Sequence, residues 1–324
     1  MAAMELSCGF PPGPDNVRLA RLAEELGYRR FWLYDSAALY GDVWVALAEV
    51  AAATSRIGVG TAVLVPSFRH VLATASAIAT IEQRAPGRLA IAIGTGFTGR
   101  YALGRKPLPW SAVERYVADL RGLLRGETVS VDGSRMRMLH PRGFAPPRPI
   151  ATPIVVAANG PKGLAVAQKH GDGVLCIAAP KPGFAWCSVF GFGTVLDAGE
   201  TPETPRAFAA LAPALAVVYH GSYEANPAGV DALPGGKGWR EEIERFPADE
   251  RHLAIHEDHM VRATERDLRH VSPALAGATF TGTREALRTR FDALEAAGMT
   301  EFLYAAHGPD PARELRAMAE AAGI

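Results

Sequence analysis

Glu25-Leu26-Gly27, a short turn, and then Phe31-Trp32-Leu33-Tyr34 form the joint on which the fold is read. A helix ends on the glycine, the residue that accepts a left-handed C-cap without steric cost. An apolar run with no polar alternation follows. Ala297-Gly298 before Phe302-Leu303-Tyr304 repeats the joint, and His170-Gly171-Asp172-Gly173 before Val174-Leu175-Cys176 is a looser copy. Strands that are apolar on both faces belong to a parallel sheet covered by helices. Eight are counted, near residues 5, 31, 57, 89, 154, 174, 279 and 302. That number favours closure into an α/β (β/α)8 TIM barrel over an open sheet, and 324 residues suit one such domain, residues 1–324.

Between these joints the spacing predicts a helix from Asp15 or Asn16 to Leu26, a second from Asp42 to Ala53 and a third from His70 to Arg84. Two stretches exceed a minimal repeat. Val129-Ser130-Val131-Asp132-Gly133 reads as a β-hairpin followed by a proline-rich return. Residues 183–270 read as an insertion with helical pieces near 205–220 and 239–246. Insertions at the C-terminal ends of barrel strands build the mouth of the active site.

Lys+Arg and Asp+Glu balance at 34 each, so no net field recruits nucleic acid or an anionic membrane. Cys8, Cys176 and Cys187 are odd in number and lack CxxC spacing, which fits a reducing compartment better than a disulfide framework. The start, Met1-Ala2-Ala3-Met4-Glu5-Leu6, has neither a basic region nor a long apolar run. The longest apolar stretch, Ala207 to Tyr219, is interrupted by Pro213. A cytoplasmic protein without a membrane span is expected.

Val155-Val156-Ala157-Ala158-Asn159-Gly160-Pro161-Lys162-Gly163 is the sharpest chemical signal. A strand ends on small residues and a helix starts, with Asn159 as its expected cap and Pro161 in its first turn. Gly160 permits close backbone approach, and free amides at a helix start favour an anion. Plain capping explains the same pattern. Gly94-Thr95-Gly96-Phe97-Thr98-Gly99 is a second glycine-rich strand end. Gly60-Thr61-Ala62-Val63-Leu64-Val65-Pro66 ends the third strand in small residues that suit a flat ring. Asp35, with Ser36, follows the second strand and is a candidate polar contact or simply a cap. Tyr40 and Trp44 lie one turn apart near the mouth. His252, His256 and His259 have i, i+4, i+7 spacing, but Leu253-Ala254-Ile255 suits a strand equally well, which would scatter the imidazoles. No His-x-His accompanies the first strand, so no metal ligand set is expected.

Together these segments resemble the F420-dependent branch of the luciferase-like superfamily, the group of methylenetetrahydromethanopterin reductase and the deazaflavin-dependent sugar-phosphate and alcohol dehydrogenases. The matching text is Ala23 to Tyr28 and Trp32 to Ser36, Thr54 to Thr61, Ala77 to Ile81 with Gly87-Arg88, Ile93 to Gly96, Ala158 to Lys162 and Gly171 to Val174. It covers residues 5–180 well and 278–322 passably. The resemblance implies a non-prolyl cis peptide at Ala62-Val63 beneath the ring of F420, the coenzyme it implies, with FMN as the alternative. It also implies that Asp35 contacts the ring, that Gly94-Thr95-Gly96 and Asn159-Gly160-Pro161 hold the phosphate-bearing tail, and that Lys162 and Lys181 are weaker contacts to its acidic groups. A homodimer through the early helices is a further implication.

The implied chemistry is hydride transfer between C5 of the deazaflavin and a small organic substrate. The sugar and alcohol dehydrogenases of this group carry a histidine where this chain has Ser36. The sugar-phosphate enzyme has a carboxylate where this chain has Phe97. The departures favour reduction of an imine, enone or similar electrophile, with Tyr40, His220, His256 or water as proton donor. The alternative is an FMN-dependent monooxygenase that takes reduced flavin from a separate reductase. From other classes come a barrel that binds a flavin-like ligand without turnover and, more remotely, a metal hydrolase.

Overall fold

The computed structural model describes residues 4–324. Eight parallel strands close into a barrel: β1 (Glu5–Phe10), β2 (Arg30–Leu33), β3 (Gly58–Leu64), β4 (Leu89–Ile93), β7 (Ile154–Ala157), β8 (Gly173–Ile177), β9 (Cys187–Phe192) and β10 (Glu301–Ala305), with β10 pairing back onto β1. A separate antiparallel hairpin, β5 (Val129–Val131) and β6 (Ser134–Met136), stands where the sequence predicts one. The barrel carries α1 (Asn16–Glu25), α2 (Val43–Ala53), α3 (Val71–Arg84), α4 (Phe97–Tyr101), α5 (Trp110–Arg125), α6 (Pro161–His170), α11 (Arg284–Ala296) and α12 (Pro311–Ala322). Between β9 and α11 lie α7 (Pro205–Ala225), α8 (Gly236–Ile243), α9 (Arg251–Ile255) and α10 (Glu265–Leu268).

Local chemistry sets the element ends. The Asp42 carboxylate accepts from the amides of Trp44 and Val45 at 2.8 and 3.2 Å and caps α2. Gly27 takes φ 88° just past α1, as the joint requires. Outward residues of the strands, such as Phe31, Ile91, Val156, Val189 and Phe302, pack under the helices. Inward residues Trp32, Ala90, Ala92, Val155, Leu175 and Leu303 fill the barrel axis.

One strand differs from the sequence expectation. The seventh barrel strand is Cys187–Phe192, not residues near 279, where the chain forms a 3-10 turn (Pro273–Ala278) and a single bridge from Gly282 to Val195. The β8–β9 connection, residues 178–186, contains no helix, so the helix-to-strand joint by which strands were counted is missing there. The insertion therefore starts after β9 and runs to α11, rather than spanning 183–270. It buries a hydrophobic cluster of its own around Leu211, Leu215, Tyr219, Trp239, Ile243 and Ile255. α7 continues through Pro213, and among the described residues no helix is long and apolar enough to cross a membrane.

The N-terminal end of the barrel is closed by a polar plug. Glu301, fully buried, accepts from Trp186 Nε1 at 2.7 Å, Trp32 Nε1 at 3.2 Å, Arg30 at 3.4 Å and the Ser7 hydroxyl. Arg30 also stacks on the Trp186 ring, 4.6 Å from its centroid.

Candidate active site at the barrel mouth

The C-terminal ends of β3, β4 and β7 are neighbours and end in small residues, which leaves a wall with little side chain above the packed axis. Ala62 and Val63, half-buried, are joined by a cis peptide, and the β3–β4 register shifts between Ala62 and Leu64. A Cβ on Gly94 would lie 3.0 Å from Val63 Cγ2 and 3.4 Å from the Ala157 methyl, so these three residues form one continuous surface. Thr95 accepts the Leu108 amide through its carbonyl, and Gly96 takes φ 79° to start α4. Phe97 is 45 % exposed and meets Tyr101 edge-on at 4.9 Å.

Beside this wall α6 begins at Pro161. Asn159 does not cap it: its side-chain oxygen accepts the Ile177 amide at 2.8 Å and ties the tips of β7 and β8 together. Gly160 is the cap residue, and a Cβ there would meet nothing within 4 Å, so the helix start opens to solvent. Pro161 and Lys162 are exposed. Lys181, on the loop after β8, donates its amide to Cys187 Sγ at 3.3 Å; all three cysteines are buried free thiols.

Asp35 is buried, and both of its oxygens are engaged. Arg69 donates to them at 2.9 and 3.0 Å, and the Val65 amide donates at 3.3 Å. Burial pushes its carboxyl up, and Arg69 opposes that shift. Arg69, which the sequence reading did not single out, also reaches Asp42 at 2.6 Å and so clamps the tips of β2 and β3 to the start of α2. The Ser36 carbonyl accepts the amides of Leu39 and Tyr40 in a turn. Tyr40 donates its hydroxyl to the His259 carbonyl, and burial pushes its pKa up. Trp44 is half-buried, with an indole N–H that has no partner. The buried hydroxyl of Tyr34 is likewise unpartnered.

The insertion brings imidazoles to the same end of the barrel. His220 on α7, His256 at the end of α9 and His259 are buried together, whereas His252, grouped with the last two by sequence spacing, turns away toward Gly104. α9 is helical, but it ends at Ile255, and this breaks the i, i+4, i+7 face. His259 Nε2 lies 3.4 Å from Thr98 Oγ1, next to Phe97. His307, immediately after β10, is also buried, and the sequence reading missed it. The strand-end rule applied to Asp35 picks it out equally well.

Burial lowers the His307 pKa to about 4, partly offset by the Met260 carbonyl. Its unfolded value lies near 6.5. Between these values the unfolded chain binds the extra proton, so stability is full above pH 6.5 and falls as pH drops toward 4. The expected loss is on the order of 2–3 kcal/mol. Thermal unfolding scans of the wild type and His307→Gln across this window check it, and a pH slope identical in both chains refutes it.

A cavity of about 430 Å³ lined by Arg121, Pro149, Thr152, Asp172 and Trp186 lies at the opposite end, before β7, β8 and β9. Barrel chemistry is assembled at the C-terminal ends of the strands, so the mouth is the candidate site.

A closed (β/α)8 barrel with glycine-rich strand tips beside a helix start, roofed by an insertion, defines the class to which this chain is assigned. Residues 4–301 match the sequence model of the family described as luciferase-like monooxygenase, and the chain belongs to that family. The 5,10-methylenetetrahydromethanopterin reductase of Methanolobus tindarius is 31% identical over 188 residues, covering 54% of this chain and 55% of that protein. The F420-dependent glucose-6-phosphate dehydrogenase of Beutenbergia cavernae is 36% identical over 143 residues, covering 40% of each. The chain thus spans about half the length, or less, of these relatives. The coenzyme F420-dependent tetrahydromethanopterin reductase of Methanopyrus kandleri shares the fold, with a TM-score of 0.66 over 98% of both chains at 18% identity.

Proposed function

We propose that this chain is an F420-dependent oxidoreductase that reduces an imine, enone or similar electrophile in a small organic substrate. The observation that carries the reading is the continuous small-residue wall of Ala62, Val63, Gly94 and Ala157, set directly beside the open start of α6. A flat tricyclic ring needs an apolar surface without protruding side chains, and a phosphate tail needs unpaired amides at a helix start. Bound there, the deazaflavin supplies or accepts a hydride at C5. Gly94, Thr95, Gly96, Asn159, Gly160 and Pro161 hold the tail, with Lys162 and Lys181 near its acidic groups. Asp35, paired with Arg69, positions the β3 tip. Phe97, Tyr40, Trp44 and the imidazoles of the insertion shape the substrate side and exclude water. Ser36 and Phe97, in place of the histidine and carboxylate of the dehydrogenases, favour the reductive direction. A cytoplasmic homodimer completes the reading.

Membership in a family described as luciferase-like monooxygenase supports a second reading, in which reduced FMN comes from a separate reductase. Equilibrium titration with oxidised F420 and, separately, FMN, followed by tryptophan fluorescence, divides the two. Binding of F420 at least about tenfold tighter, or 1.4 kcal/mol, is the expected result. A preference for FMN moves the protein to the monooxygenase branch, and failure to bind either removes the function while leaving the fold.

A further inference from the structure

The three imidazoles of the insertion face one another in a way that neutral rings alone do not satisfy. His220 Nδ1 lies 2.9 Å from His259 Nδ1, and His256 Nδ1 lies 3.3 Å from the same atom. The outer nitrogens make no hydrogen bond but have carboxylates nearby: His220 Nε2 is 3.6 Å from Asp267 Oδ1, and His256 Nε2 is 3.4 Å from Glu224 Oε1. A neutral imidazole carries one N–H. If the outer nitrogens of His220 and His256 hold their protons toward these carboxylates, both Nδ1 atoms present lone pairs to His259. His259 has at most one proton to offer, so one lone-pair contact stays uncompensated in a buried site.

We propose that His220, His256 and His259 form a tris-imidazole site for a divalent cation of the zinc type. Ligand atoms about 2.0–2.1 Å from a tetrahedral ion stand about 3.3–3.4 Å apart; the two separations from His259 Nδ1 are 2.9 and 3.3 Å, and the ligand nitrogens of all three rings lie within 4.8 Å of one another. Three imidazoles without a thiolate suit zinc or cobalt better than magnesium or calcium. Asp267 and Glu224 stand 3.6 and 3.4 Å from the outer nitrogens, which have no hydrogen-bond partner, so a modest turn of each ring onto the ion would let the carboxylates orient the ligand imidazoles, and their two negative charges would balance the ion. Asp267 is itself fixed, accepting from Trp239 Nε1 at 2.8 Å and from Thr264 at 2.7 Å. The fourth tetrahedral position is left to water. Because Tyr40 donates to the His259 carbonyl and Thr98 contacts its ring, the ion would pin the insertion against the barrel loops that carry Tyr40 and Thr98. The site does not depend on which flavin-type cofactor the mouth accepts.

The test uses full-length, tag-free protein purified without chelator. Elemental analysis is expected to find about one zinc per chain. After chelation, titration with Co²⁺ should produce the visible d–d absorption of a nitrogen-rich site, and added Zn²⁺ should raise the unfolding temperature. His256→Ala and His259→Ala should abolish the Co²⁺ signal. Glu224→Gln should weaken binding about 10–100-fold. His252→Ala, outside the cluster, should bind like wild type. If an alanine variant fails to fold, the wild-type spectrum and Glu224→Gln decide. Protein without zinc that also gives no Co²⁺ band and no thermal shift overturns the proposal, as does unchanged affinity in Glu224→Gln and His256→Ala.

Discussion

Ala157→Trp is expected to weaken binding of oxidised F420 at least about 100-fold, a loss near 2.7 kcal/mol, while the barrel still folds. Ala157 ends β7 on the inner face, half-buried, beside Gly94 and the Ala62–Val63 segment. An indole there projects over the surface on which the ring is proposed to lie. The position opens toward the mouth, so the added volume does not have to be absorbed by the close-packed axis of Trp32, Ala92 and Val155. Calorimetric titration avoids interference from the new tryptophan, and circular dichroism reports the fold. A folded variant with wild-type affinity would place the cofactor elsewhere and remove the main support for the proposed function. The same variant should leave zinc content unchanged, because the imidazole cluster is built from the insertion.

Glu301→Ala is expected to destabilise the chain by about 3–5 kcal/mol, because removing one partner of a buried ion pair strands the other. Arg30, two indole N–H groups and the Ser7 hydroxyl all donate to this carboxylate inside the barrel. Each donor left without an acceptor costs about 1–3 kcal/mol. A fall in unfolding temperature of about 4–7 °C follows from the size scaling of unfolding entropy. Glu301→Gln, which keeps one acceptor oxygen, should fall in between. Because the plug closes the end opposite the mouth, cofactor affinity per folded molecule should not change. A shift below about 2 °C in Glu301→Ala would mean that water replaces the carboxylate and that the plug contributes little.

The elements that the sequence makes legible are those with a local cause. β4 is found over Leu89–Ile93 as expected, and α2 and α3 lie where helices beginning at Asp42 and His70 are expected, these two residues serving as their caps. The cis peptide at Ala62–Val63 was legible only through family resemblance, since nothing in the local text demands it. No helix precedes β9, so the helix-to-strand joint that marks other strands in the sequence does not mark this one. Asn before Gly-Pro predicts a helix cap at Asn159, yet its oxygen accepts from a neighbouring strand tip.

The candidate site divides along the same line. Glycine-rich strand ends, the α6 start and the acidic residue after β2 are properties of contiguous text, because strand periodicity, caps and tight turns depend on neighbours within a few residues. The Arg69–Asp35 clamp, 34 positions apart in sequence, and the approach of His220 to His259, 39 apart, depend on how the barrel closes and how α7 packs across its mouth. By itself the sequence determined a parallel barrel with a glycine-lined mouth. Which charged groups are neutralised there, and which imidazoles converge, was decided only by tertiary packing, since a side chain's partner across a core follows from long-range geometry rather than from its neighbours in the chain.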